Sequence, residues 1–260
     1  MRSIAILCTA LAVGCNGTTG SDLVTFSARA GGVAGVTAGF KSNKGYDIAL
    51  TKARLHFGAV YLNLSVPASG AGEVPCVLPG TYAGQAFGPC DGSVCGSDVD
   101  LLSPALTTFT KTAQGIADTA AEAEVWLTSG DVNATTDLTP VLTIAGTASL
   151  ATQDFPFSAT LTIGPNHTPP PPNVAMPGAN PICLQRIVTP IRLLPGIALQ
   201  NGGTLDLRID VTGMLDNVDF NQLTAGSDGK YVIPDEAGGI GGEFFKSVTS
   251  TDAYLFSFRK

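Results

Sequence analysis

The sequence predicts an all-β fold: an antiparallel β-sandwich, or an open barrel, of about nine to eleven short strands joined by long Gly/Pro-rich loops. Three observations carry that expectation. Apolar and polar residues alternate at period 2 in several segments, as they do on a strand with one buried face. Charged residues are only 13% of the chain against 44% hydrophobic, and glycine and proline number 31 and 17, a balance that favours strands and turns over surface helices. Strand formers gather most densely in Tyr46 to Val66, YDIALTKARLHFGAVYLNLSV.

The chain opens on Arg2, an apolar segment from Ile4 to Val13, and Ala12-Val13-Gly14-Cys15, followed by the polar run Asn16 to Asp22. An apolar segment this short between a positive residue and small residues is a secretory signal. Its end resembles the lipobox of bacterial lipoproteins, in which small residues precede a cysteine that is lipidated and becomes the mature N-terminus. Leucine usually stands three residues before that cysteine; here the place is held by Ala12, with Leu11 before it. The resemblance covers residues 1–15. It implies a signal peptide over 1–14, lipidation of Cys15 and a flexible tether over 15–22; the strand pattern beyond it reads as one sandwich-like domain over 23–260. It further implies a bacterial cell-envelope protein held at a membrane surface by its acyl chains, with Asn16 pointing to the outer membrane. The mature domain is similar to the many predicted lipoproteins of uncharacterised activity.

In Tyr46 to Val66 the apolar phase changes twice. Tyr46, Ile48 and Leu50 share one parity; Ala53, Leu55 and Phe57 take the other; Val60, Leu62, Leu64 and Val66 return to the first. A one-residue slip turns every later side chain over, so each change demands a bulge or a bend. Gly58 supplies one of them. The other, near Thr51, has no local cause. One long bent strand or two strands joined by a tight corner satisfies the pattern.

Further strands are expected at Thr81 to Phe87, Ser97 to Leu102 and Ala121 to Leu127. In the last, Glu122, Glu124 and Trp126 share a polar face opposite Ala121, Ala123, Val125 and Leu127. Val141 to Leu150 and Phe155 to Ile163 read as a hairpin about Ala151 to Asp154. Pro169 to Pro172 mark an extended loop. Ile182 to Leu194, interrupted by Pro190, fits an edge strand or a bend. Thr204 to Thr212 alternates cleanly, with Leu205, Leu207, Ile209 and Val211 inward and Asp206, Arg208 and Asp210 outward. Gly213 to Leu223 suits a short helical turn, Ala225 to Gly242 a Gly/Asp-rich loop, and Ala253 to Phe258 a closing strand.

Cys8 and Cys15 aside, the cysteines are Cys76, Cys90, Cys95 and Cys183. An even number in an exported chain suggests two disulfides, and three connectivities are open to four cysteines. Cys90 and Cys95 flank a turn-rich segment that can close on itself, leaving Cys76 for Cys183. Zinc is the alternative, but no CxxC occurs and neither histidine is near in sequence.

The chemistry-bearing residues form three groups. Lys52, Arg54 and His56 lie two apart on one strand face; Asp206 and Asp210, or Glu122 and Glu124, are expected to answer them, and an anionic ligand is the alternative. Asp91, Asp98 and Asp100 crowd a glycine turn, the kind of oxygen-rich loop that holds calcium with about six to eight ligands; Asp228, Asp235 and Glu236 make a looser set. His56 and His167 are the two histidines, which would suit a transition metal if the fold joined them. Trp126, the single tryptophan, offers a flat face for stacking on a sugar ring. A net charge of −7 disfavours nucleic acid as a partner. No GxSxG, HExxH, GxGxxG or P-loop occurs, and no cofactor other than calcium is implied. The expected function is therefore a non-catalytic binding or structural module of the envelope, its partner a glycan or an envelope protein. A metal-dependent hydrolase is the weaker alternative.

Overall fold

The computed structural model describes residues 22–65, 82–86, 97–128, 138–162 and 186–260. The expected signal segment 1–14, Cys15, the cysteines Cys76, Cys90, Cys95 and Cys183, together with Asp91, His167 and the proline run, lie outside the described residues.

In chain order the strands are β1 (Leu23–Gly32), β2 (Phe40–Lys41), β3 (Asp47–Phe57), β4 (Val60–Asn63), β5 (Tyr82–Ala86), β6 (Ser97–Asp100), β7 (Thr107–Thr108) and β8 (Ala113–Ile116). There follow β9 (Thr119–Trp126), β10 (Pro140–Leu150), β11 (Gln153–Thr162), β12 (Ile187–Ala198), β13 (Thr204–Ile209), β14 (Tyr231–Ile233) and β15 (Tyr254–Arg259). Among the described residues, the α-helix α1 (Gly239–Val248) precedes β15. The strands make two sheets in a sandwich-like all-β fold. One has nine strands in the order β12-β9-β4-β5-β8-β1-β13-β15, with β7 continuing beside β1; the other has six, in the order β14-β11-β10-β3-β2, with β6 beside β3. No barrel closes. Pairing is mostly antiparallel, but β1 with β13 and β11 with β14 run parallel, so the sheets are mixed. A single hydrophobic cluster draws on both sheets.

The stretch Tyr46 to Val66 resolves into two strands and a corner. Within β3, Lys52 pairs with Ala145 and Leu50 with Gly146, so Thr51 is an extra residue with no partner on β10. That bulge produces the first phase change: Ile48 and Leu50 are buried before it, and Ala53, Leu55 and Phe57 after it. Its permissive residue lies on the neighbouring strand. A Cβ on Gly146 would sit 2.3 Å from the carbonyl oxygen of Ala49, so only glycine lets β10 approach the bulge. The second change is the corner at Gly58 and Ala59, where the chain passes from the six-stranded to the nine-stranded sheet. The Gly58 N–H donates to the Trp126 carbonyl at 2.8 Å and the Trp126 N–H to the Ala59 carbonyl at 2.9 Å.

The hairpin β10–β11 turns at Ala151, whose φ is 55°. β12 is an edge strand, as Pro190 implied, and departs from regular pairing with β9 between Val188 and Ile191 and between Arg192 and Ile197. The fifteen strands among the described residues exceed the expected nine to eleven because β1, β2, β7, β8 and β14 were not expected; β2 and β7, at two residues each, are too short to show a period. β1 hides behind alanine: Val24, Phe26, Ala28 and Ala30 are buried in alternation, but alanine is a weak strand signal.

The loop expected over Ala225 to Gly242 contains β14 and the start of α1 instead. Four of α1's ten residues occur as GIGG, a poor helix former by propensity. Packing overrides it: Phe244 and Val248, one turn apart, are buried, and the Tyr254 hydroxyl donates to the Val248 carbonyl at 2.9 Å. The short turns at Gly213–Leu215 and Phe220–Gln222 are 3-10 turns, matching expectation. They bring Phe220 into an aromatic cluster with Tyr46, Phe155 and Phe157, ring centroids 4.8 to 6.3 Å apart. The Tyr46 hydroxyl closes that cluster by donating to Asp219 at 2.8 Å.

Candidate functional site

Two of the trio on β3, Arg54 and His56, find partners on β6. His56 lies opposite Asp98 and Arg54 opposite Asp100 in the register of the two strands. The Nδ1 of His56 is 2.8 Å from Asp98, and the Arg54 guanidinium is 3.8 Å from the same carboxylate. The expected acidic partners, Asp206 with Asp210 or Glu122 with Glu124, do not meet this trio; they belong to the other sheet or its continuation. Asp206 faces Arg29 across the parallel β1–β13 pair and accepts two hydrogen bonds from its guanidinium, each 2.8 Å. Asp210 accepts from the N–H and hydroxyl of Thr212.

Of the oxygen donors considered for calcium, Asp98 and Asp100 share one face of β6, and Asp100 also accepts from the Leu102 N–H at 3.0 Å. In the looser set, Asp228 accepts from the Lys230 N–H and Asp235 from Thr162. Among the described residues no group of three or more His, Cys, Asp and Glu side chains is arranged to hold a metal.

The place where unlike chemistries converge is the outer face of β4 and β9. Alternation puts Ala123, Val125 and Leu127 toward the interior and Glu122, Glu124 and Trp126 on the opposite face. Antiparallel pairing sets Glu122 opposite Asn63 and Glu124 opposite Tyr61, so these side chains share that face. This polar face is shielded from solvent. Glu122 is 0% exposed and Glu124 4%, and Asn63 is buried beside them. The Asn63 amide nitrogen donates to both acids, at 2.5 Å to Glu122 and 3.2 Å to Glu124. The Thr189 hydroxyl, at a bulge of β12, donates to Glu122 at 2.8 Å. The Trp126 indole N–H donates to Glu124 at 3.2 Å.

Two carboxyl groups tied to one amide in a dry setting resist double ionisation. Burial pushes Glu122 up to about 7, against the hydrogen bonds from Asn63 and Thr189, and the charge of Glu124 pushes the same way. Burial also raises Glu124, opposed by the hydrogen bonds from Trp126 and Asn63. Tyr61 is raised as well, first by burial and then by the charge of Glu124.

At the margin of this face Tyr61 and Trp126 form a tilted aromatic pair, centroids 5.0 Å apart and planes at 42°, both half-buried. Glu124 fixes the indole through its N–H. The sequence singled out Trp126; it did not single out Tyr61, Asn63, Thr189 or the two acids as members of one site. The available signal was the pair of spacings Tyr-x-Asn and Glu-x-Glu-x-Trp, which become one patch only when β4 and β9 pair. Trp126 and the Lys52/Arg54/His56 face stand in different sheets and do not form a common site.

No helix among the described residues is long and apolar enough to cross a membrane. The chain matches no family model, no curated protein and no solved structure.

Proposed function

We propose that the chain is an exported, lipid-anchored module of the bacterial cell envelope that binds a glycan without transforming it, through Tyr61 and Trp126. The observation that carries the reading is the aromatic pair itself: two half-buried rings 5.0 Å apart, one of them held by a buried acid through its indole N–H. Apolar ring faces stack on the C–H face of a sugar, and a ring already fixed loses little freedom on binding. Glu122 and Glu124 are too deeply covered to meet a ligand and serve as the support that orients Trp126. The lipid anchor rests on the Ala12 to Cys15 sequence, and it would place the patch at an envelope surface where glycans are the abundant ligand.

The test is direct because Trp126 is the single tryptophan. Intrinsic fluorescence is titrated with a panel of neutral and acidic oligosaccharides, with Trp126→Ala and Tyr61→Ala examined on a glycan array. A saturable change with at least one oligosaccharide, lost in both variants, is expected. Silence across the panel, or array binding that persists in both variants, rejects the reading. Anchoring is checked separately by mass spectrometry of the mature N-terminus, where an acylated Cys15 is expected and an unmodified one contradicts it.

A further inference from the structure

On the outer face of the nine-stranded sheet, the register of β1, β13 and β15 forms a small lattice. Ser27, Thr204 and Arg259 make one row, Arg29, Asp206 and Ser257 the next, and Gly31, Arg208 and Leu255 the third. Three arginines thus stand around one carboxylate. Asp206 holds Arg29 by two hydrogen bonds of 2.8 Å and meets the Arg259 guanidinium at 3.3 Å. Arg208 has no acidic partner among the described residues; its guanidinium donates to the carbonyl oxygens of Gly32, at 2.8 Å, and Pro104. Asp210, next outward along β13, accepts from Thr212 and makes no ion pair among the described residues.

We propose that this face holds the acid groups of an acidic polysaccharide, with Arg29, Arg208 and Arg259 as the cations and the hydroxyls of Ser27, Thr204 and Ser257 between them. One carboxylate against three guanidinium groups leaves an excess of two positive charges, and of one even with Asp210 counted. That excess stands out in a chain of net charge −7. Arginine pairs with carboxylate or sulfate through a planar fork, and a guanidinium already tied to protein acceptors loses little freedom on binding. Arg29 and Arg208 are tied in this way. Arg259, its side chain 60% exposed, is the one most open to a ligand.

Shape and position choose the occupant. The lattice is a sheet face three strands wide, about 10 Å across, which suits an extended chain with repeated acid groups better than a single small anion. The same face leads to the aromatic pair: the register runs from Thr25 on β1 through Gln114 and Gln85 to Tyr61. The choice of a carbohydrate rests on the glycan reading above; the excess of charge does not.

The test uses the intact chain and fluorescein-labelled hexagalacturonate, with its methyl ester as the uncharged control on the same backbone. Fluorescence anisotropy is expected to show the acid binding about tenfold more tightly than the ester, with the difference shrinking as salt rises. Arg259→Glu removes most of that preference. Arg259→Lys keeps part of it, since lysine carries the charge without the fork. Both variants retain the far-UV circular dichroism spectrum, because the position is exposed. Equal affinity for acid and ester, or an acid preference untouched by Arg259→Glu, overturns the proposal. So does binding confined to phosphatidylglycerol vesicles, which would make the face a membrane contact. Trp126→Ala separates the two readings. An acid preference that survives this change upholds the arginine face even where the aromatic pair fails. Ester binding lost in Trp126→Ala, with no preference for the acid, upholds the aromatic pair and refutes the arginine face.

Discussion

Replacing Glu122 with glutamine removes one of the two raised carboxyl groups of the buried pair while keeping its shape. Glu122 is raised from its ordinary value of 4.5 to about 7 by burial. A carboxyl group raised in the folded state stays protonated there after the unfolded chain has ionised. The native state then binds more protons than the unfolded state across that interval, so stability falls as pH rises. The contribution is fully present below about pH 4.5, and it is lost as pH climbs through about 7. Each pH step across the interval is worth ~1.4 kcal/mol, so the loss from Glu122 totals about 3 kcal/mol. With a urea dependence of about 3 kcal/mol per molar for a chain of this size, the wild-type midpoint drops by about 1 M between pH 4.5 and pH 8. Glu122→Gln flattens that slope. The amide still accepts from Asn63 and remains neutral at every pH, so the variant outlasts the wild type at pH 8 and roughly matches it at pH 4.5. The assay is urea unfolding followed at pH 4.5, 6, 7 and 8 by Trp126 fluorescence and far-UV circular dichroism. Parallel pH profiles for the two proteins, or a wild type that gains stability over this range with the variant, refute the reasoning.

Three further outcomes follow from the same structure. Gly146→Ala places a methyl group 2.3 Å from the Ala49 carbonyl and forces β10 off the β3 bulge, costing about 2–3 kcal/mol, read as a lower thermal midpoint. Asp98→Asn removes the partner of His56 and Arg54, but at 58% side-chain exposure the loss stays under about 1 kcal/mol in urea unfolding. Arg29→Met leaves Asp206, only 12% exposed, with Arg259 at 3.3 Å as its remaining partner, and costs about 2 kcal/mol in the same measurement.

The fold class was legible because alternation survives in the sequence wherever a strand has one buried face. In β13, Leu205, Leu207 and Ile209 are buried as their parity required. The phase change at Thr51 was equally visible, yet its permissive residue, Gly146, sits on another strand, where no local reading finds it. α1 was missed because propensity is a local quantity, whereas its stability comes from Phe244 and Val248 packing beneath it. The cations of β3 were seen, but their partners were misassigned, since only strand order reveals that β6 lies alongside. The acids of β9 show the sharpest limit. Parity correctly placed Glu122, Glu124 and Trp126 on one face, but parity says which way a side chain points and not whether water reaches it. Their burial, and with it the upward shift of both acids, depends on the pairing of β9 with β4 and β12.

The location of the ligand face is tested most directly by amide and indole nuclear magnetic resonance shifts of the labelled protein, titrated with the oligosaccharide that binds best. Perturbations centred on the Trp126 indole and the backbone of Tyr61, Asn63 and Glu124, with the β3 face of Lys52, Arg54 and His56 unmoved, are expected. Shifts confined to Lys52, Arg54 and His56, or an unperturbed Trp126 indole at saturating ligand, would contradict the account.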